Sequence, residues 1–149
     1  MIIDTSAIVA ILRGEQRAEA YAAVIESAPF ARISAASYVE LGVVIDGLDE
    51  PVLSGSLDSF LATMAVVVEP LTESQARIAR AAYQRFGKRS GHPARLNMGD
   101  CFAYALARDL GEPLLFKGDD FKLTDIEIVI EPTLHKRLSE IVAGYAAAR

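Results

Sequence analysis

Apolar residues along the chain fall in short blocks, and the blocks change period. Met1-Ile2-Ile3 is a continuous apolar run cut at Asp4, the pattern of a buried strand running into a polar turn. Ser6–Arg13 then reads as a helix stopped near Gly14, and Gln16–Ser27 as a second helix ended by Pro29. Phe30–Ile33 is a short second strand. Ser34 or Ser37 can cap the helix that follows, through Tyr38-Val39-Glu40-Leu41 to about Asp46, with Gly47 as its terminator. Pro51–Met64 carries Leu53, Leu57, Phe60, Leu61 and Met64 on one helical stripe. Ala65-Val66-Val67-Val68, closed by Pro70, predicts an interior strand.

The second half repeats the alternation. Thr72 caps a helix from Glu73 to about Phe86, and Gly87–Leu96 is a basic loop. A helix begins around Asn97 and runs through Asp100 to Leu110, where Gly111 stops it. Pro113–Phe116 is a strand, Lys117–Asp125 a polar turn and Ile126–Ile130 a last strand. After Pro132, the residues Leu134, Leu138, Ile141, Val142 and Tyr145 predict an amphipathic helical extension over 133–149, leaving 1–132 as the domain. Strands alternating with helices predict an α/β fold with a parallel sheet covered on both sides. Right-handed crossovers bring every strand's C-terminal end to one sheet edge, where sites of such folds lie.

Composition narrows the chemistry. The 149 residues suit one domain, and no apolar run nears the ~18 residues of a membrane helix. The N-terminus lacks the basic start and cleavage site of a signal peptide, so a cytoplasmic chain is expected. One cysteine, Cys101, excludes a disulfide framework and multi-cysteine zinc clusters, and His92 and His135 have no zinc-type spacing. Net charge is −5, but it is segregated: Gln75–Gly99 has no acid and carries Arg77, Arg80, Arg85, Lys88, Arg89 and Arg95. The remaining residues hold 9 positive and 20 negative charges, a balance of −11, so a basic surface sits on an acidic body.

Four acidic positions fall near the functional sheet edge: Asp4 after the first strand, Glu40 early in the third helix, Asp100 near a helix start, and the pair Asp119 and Asp120 after the fourth strand. Each has a plain reading as a helix cap, a solvated helix residue or a turn. Their joint occurrence points to a site. Carboxylates ~4 Å apart repel by about 4 kcal/mol at an effective dielectric near 20, so a cluster needs protons or a hard cation. Oxygen-only donors select Mg²⁺ or Mn²⁺, ions that activate water and stabilise phosphoryl oxygens. Phosphodiester hydrolysis fits both the acids and the basic loop. Other chemistries fit less well. There is no P-loop, Ser6, Ser34 and Ser37 have no histidine partner, and Cys101 beside Asp100 is a poor nucleophile. His92 reads as an exposed loop residue.

The motifs Met1-Ile2-Ile3-Asp4-Thr5-Ser6, Tyr38-Val39-Glu40, Asn97-Met98-Gly99-Asp100-Cys101-Phe102-Ala103-Tyr104-Ala105 and Leu114-Leu115-Phe116-Lys117-Gly118-Asp119-Asp120-Phe121 together resemble PIN-domain ribonucleases, and among them the VapC toxins of type II toxin–antitoxin pairs. The resemblance spans Met1 to about Pro132. It implies a three-layer α/β/α domain with a mostly parallel sheet of about five strands. It also implies Mg²⁺- or Mn²⁺-dependent endonucleolytic cleavage of RNA to a 5′-phosphate and a 3′-hydroxyl. By the same resemblance, Asp4 and Asp100 hold the metal, Glu40 helps through the metal or its waters, and Thr5, Ser6 and Asn97 support these acids. Many relatives place the fourth acid where this chain has Gly118, so Asp119, by a one-residue shift, is the favoured substitute and Asp120 the alternative. Arg85, Lys88, Arg89 and Arg95 are the expected RNA contacts. The family implies a homodimer and a VapB-type antitoxin, with the stripes at Leu53–Met64 and Ile11–Ile25 as candidate surfaces, although core burial accounts for both. The competing readings are a receiver-like phospho-acceptor, which lacks an Asp after the strand Val66-Val67-Val68, and a metal-free binding module.

Overall fold

The computed structural model describes residues 1–129. In chain order the elements are β1 (Ile2–Ile3), α1 (Thr5–Leu12), α2 (Ala18–Ser27), β2 (Ala31–Ser34), α3 (Ala35–Asp46), α4 (Pro51–Thr63), β3 (Val66–Glu69), α5 (Glu73–Phe86), α6 (Met98–Leu110) and β4 (Leu114–Leu115). A 3₁₀ turn, Asp120–Leu123, follows β4. The four strands form a parallel sheet in the order β3-β2-β1-β4.

Alternation along the strands makes the three layers. Ile2 and Leu114, paired across β1 and β4, join the core built with α5, α6 and Phe121. Their successors, Ile3 and Leu115, point the other way into a second core with Ala31, Ile33, Leu41, Ile45 and residues of α1, α2 and α4. Both faces of β1 and β4 are therefore covered, and their four residues are at most 1 % exposed.

Two strand expectations change. Val66–Glu69 is an edge strand, not an interior one, and Val67 and Val68 are about half exposed. A β-branched run fits a pleated strand at either place, so its composition does not distinguish them. The segment from Ile126 makes a single parallel bridge, Leu114 to Ile128, with Leu114 N–H donating to Glu127 O and Val129 N–H to Leu114 O, each at 2.9 Å. The sheet thus has four strands plus this bridge among the described residues, against the expected five. Ile130 and the predicted helix over 133–149 lie outside the described residues.

The stripes at Leu53–Met64 and Ile11–Ile25 are core. Leu57, Leu61, Tyr21, Val24 and Ile25 are buried, with Leu53, Phe60, Met64 and Ile11 packed against them. Among the described residues no helix is long and apolar enough to cross a membrane.

The basic loop between α5 and α6 is anchored rather than loose. Leu96 N–H donates to Phe86 O at 2.9 Å and Lys88 N–H to Leu96 O at 3.0 Å, while the Ala94 and Leu96 side chains are fully buried. His92 departs from its expected exposure: its ring packs edge-on to Phe86 at 4.9 Å, and its Nδ1 accepts from Ala94 N–H at 3.1 Å. Leu96→Ala should cost about 2–5 kcal/mol, read as a lower urea midpoint at unchanged slope; an unchanged midpoint would show the loop to be independent of the core.

Candidate active site

Helix starts assemble the site. β1 ends at Asp4, which is also the N-cap of α1: its Oδ2 accepts from Ser6 N–H at 3.0 Å and Ser6 Oγ–H at 2.5 Å. Helix α6 begins with a reciprocal capping box. Asp100 N–H donates to Asn97 Oδ1 at 2.8 Å, and Asn97 N–H to Asp100 Oδ2 at 2.7 Å. Asn97 thus orients Asp100 directly. Glu40 comes from α3, which Ser34 caps through Ala36 N–H.

These residues line one cleft of about 270 Å³, together with Thr5, Ser6, Glu15 and Lys117. Thr5 hydrogen-bonds Glu40 and, through Oγ1–H, donates to Ser37 O at 3.4 Å. Glu40 lies directly on Gly99, where any Cβ would fall within its carboxylate. A glycine inside a helix is unfavourable in its own right, and here it makes room for an acid from another helix.

The electrostatics record this crowding. Burial pushes the Asp100 carboxyl up to about 7, reinforced by the charges of Asp4, Asp120 and Glu40 against the opposing Asn97 N–H. Burial, aided by Asp4, also raises Glu40. Asp4 is 5 % exposed, and burial raises its carboxyl despite the hydrogen bonds from Ser6 and Thr5. Three acids facing one cleft are thus all shifted toward the protonated form. Cys101, its thiol pushed up to about 12 by burial and then by Asp100, is no nucleophile.

The two fourth-acid candidates both lie on the exposed turn after β4, in different settings. Gly118, at φ +110°, turns the chain so that the Asp119 side chain is 85 % exposed and pairs with Lys122 at 2.7 Å. Asp120 opens the 3₁₀ turn, and its charge reaches Asp4 and Asp100. The family spacing does not separate the two neighbours, and neither lines the cleft. Glu15 and Lys117 also line the cleft, and no expected site role fell on either. Lys117 was findable, because it follows β4 at the edge that holds Asp4. Glu15 carries no such signal.

The donor set fits a hard divalent cation. It is all oxygen, it is acidic, and its raised carboxyls lack a counter-charge. Among the described residues no three Asp, Glu, His or Cys side chains yet stand as a chelate. Asp4 and Asp100 each accept these bonds through Oδ2, which leaves Oδ1 of both carboxylates for an ion.

The basic residues divide. Arg85 is committed, with Nη1 at 2.8 Å from Asp125 and its guanidinium over the Phe86 ring. Lys88, Arg89 and Arg95 are exposed and make no ion pair with a described residue. The loop that carries them ends at Asn97, in the cleft wall.

Two predictions follow from this crowding. The folded Asp100 titrates near 7 and an unfolded Asp near 3.9, so the folded state binds the extra proton between these values. Metal-free stability is then fully present below about pH 4 and falls as pH rises to about 7. Asp100→Asn should flatten that fall in a series of melting curves, and an equally steep fall in the variant would remove Asp100 as its source. Gly99→Ala should displace Glu40 and lower activity at least tenfold with little loss of helix, as read by circular dichroism and cleavage assays.

Comparison with known proteins shows the family. The PIN-domain family model matches residues 1–127. The chain is 55 % identical over 131 residues to ribonuclease VapC28 of Mycobacterium tuberculosis, covering 88 % of this chain and 98 % of that one. It is 50 % identical over 126 residues to ribonuclease VapC42 of the same species, covering 85 % and 96 %. Among solved structures it resembles M. tuberculosis VapC20, described as a sarcin–ricin-loop-cleaving toxin, with a TM-score of 0.70 at 18 % identity, covering 86 % and 97 %. It also resembles a toxin–antitoxin complex from Klebsiella pneumoniae, with a TM-score of 0.60 at 18 % identity, covering 80 % and 88 %. With a PIN-domain match across most of its length and relatives at half identity or more, the chain belongs to the VapC ribonucleases of the PIN-domain family.

Proposed function

We propose that this protein is a divalent-metal-dependent endoribonuclease, the toxin of a toxin–antitoxin pair, neutralised by a VapB-type antitoxin. The observation that carries the reading is the convergence of Asp4, Glu40 and Asp100 on one cleft, each carboxyl raised by burial and by a neighbouring acid. The names of its relatives support the activity, and the toxin–antitoxin complex among its structural neighbours supports the partner.

Asp4 and Asp100 hold the ion, Mg²⁺ or Mn²⁺, with Asp120 rather than Asp119 as the fourth acid. When bound, the ion supplies charge stabilisation to the phosphoryl oxygens and lowers the pKa of water near it. Ser6 and Asn97 hold the first two carboxylates through Oδ2 and keep them aimed at the cleft. Glu40, its affinity for protons increased by burial, accepts the proton of the attacking water at its carboxylate. Lys88, Arg89 and Arg95 steer the RNA backbone toward this edge, and Arg85 contributes only if it leaves Asp125. Cleavage leaves a 5′-phosphate and a 3′-hydroxyl. Val39 and Val43 of α3 and Met98 of α6 are more than 60 % exposed in helices that also line the cleft. Such an apolar surface supports a homodimer or antitoxin contact in the cytoplasm.

The receiver-like alternative loses its key residue. Glu69 ends an edge strand and pairs with Arg32 at 3.0 Å, so no acceptor carboxylate stands at a central strand end there.

Asp4→Asn or Asp100→Asn should abolish Mg²⁺-dependent cleavage of a structured-RNA pool while the protein stays folded; full activity in either would overturn the site assignment. Millimolar Mg²⁺ should raise the melting temperature of the native chain and leave Asp4→Asn unmoved. Neutralising Lys88, Arg89 and Arg95 together should weaken RNA binding and flatten its salt dependence by roughly two units of log–log slope. An unchanged slope would place the RNA path elsewhere.

A further inference from the structure

The cleft wall contains one cation, Lys117. Its backbone is fixed by a hydrogen bond to the oxygen of Ser6, whose hydroxyl in turn donates to Asp4: Lys117 N–H to Ser6 Oγ is 3.0 Å, and Ser6 Oγ to Asp4 Oδ2 is 2.5 Å. Position 117 is therefore one hydroxyl away from the first metal-site acid. The ammonium itself is paired with Glu15, another cleft residue, whose other carboxylate oxygen is 3.3 Å from Arg13 Nη1. The hydrogen bond from Lys117 is the main reason the Glu15 carboxyl lies below its ordinary range.

A structural staple is the plain account of this pair, and its exposure argues against it. The Lys117 and Glu15 side chains are 46 % and 25 % exposed, and ion pairs so open to water contribute little to stability. The cleft has a stronger need for the charge. A phosphodiester entering a wall of carboxylates meets repulsion that a compact ammonium relieves, and an ammonium donates well to phosphate oxygens. Glu15 keeps that ammonium at the cleft wall while no phosphate is present.

We propose that Lys117 Nζ donates to a non-bridging oxygen of the scissile phosphate, and that Glu15 is the positioning residue that holds it aside until RNA arrives. The inference rests on the nuclease reading above and adds to it a substrate contact and a partner exchange.

The test compares Lys117→Gln, Lys117→Arg, Glu15→Gln and the Glu15→Gln/Lys117→Gln double variant. The probe is a fluorescent single-stranded RNA of mixed sequence, its binding titrated against salt in EDTA and its cleavage followed in Mg²⁺. Lys117→Gln should lower kcat/KM at least tenfold with an unchanged melting temperature, and Lys117→Arg should recover much of the loss. Glu15→Gln should tighten RNA binding several-fold and steepen the salt dependence by about 0.7, the value for one more phosphate contact on a single strand. The double variant should lose that gain. Cleavage by Lys117→Gln at the native rate, or a Glu15→Gln gain that persists without Lys117, would overturn the proposal. So would a shared drop in melting temperature with unmoved RNA constants, which marks a staple. A native chain that cuts no RNA, with the Glu15→Gln gain still dependent on Lys117, would sink the nuclease reading and leave the phosphate contact standing.

Discussion

Helix N-termini hold carboxylates where other carboxylates already are, and the rest of this molecule is arranged around that constraint. Asp4 caps α1 and Asp100 closes the capping box of α6, each accepting backbone N–H groups at the positive end of a helix. Those bonds lower a carboxyl pKa, yet both are raised, because burial and mutual repulsion outweigh them. The caps therefore fix position without supplying enough countercharge. A side chain held firmly and left electrostatically short is suited to receiving a cation.

The two readings of Asp4 are thus not rivals. A helix cap and a site acid are the same carboxylate, because a strand that ends at the sheet edge hands the chain straight to a helix start. The same holds for Asp100. The parallel topology makes the coincidence general: β1 and β4 end side by side, α1 leaves from one, and Lys117 leaves from the other. Gly99 shows how close the approach is, since a methyl group there would occupy the place of the Glu40 carboxylate.

What was legible in the sequence follows from which signals are local. Caps at Ser34, Thr72 and Asn97 and the stop at Gly111 placed their helices because each is a short-range hydrogen-bonding or backbone requirement. Asp4, Glu40 and Asp100 were recoverable for the same reason, each sitting at a fixed step from a strand end or helix start. The position of Val66–Glu69 in the sheet was not, because edge and centre differ in what packs over the strand rather than in the strand itself. Spacing does not choose between Asp119 and Asp120, because both stand on the same exposed turn after Gly118. Glu15 was invisible, since its neighbour in space is 102 residues away.

Charge segregation completes the argument. The acid-free stretch from Gln75 to Gly99 does not form a free basic arm. Its Arg77 pairs with Glu73 and its Arg85 with Asp125, while Ala94 and Leu96 bind the loop to the core. Arg80 on α5 and Lys88, Arg89 and Arg95 make no ion pair with a described residue, and the last three are carried on an anchored loop that runs into the N-cap of α6. On the proposed function, a polyanion attracted there would be led to the acidic cleft, whose carboxylates would repel it unaided. Attraction and chemistry would thereby be separated: the loop would supply a long-range, salt-sensitive pull, and the cleft would keep its negative charge for an ion. An acidic protein can in this way act on an acidic polymer, provided that the cation at the junction comes from solution or from the cleft wall.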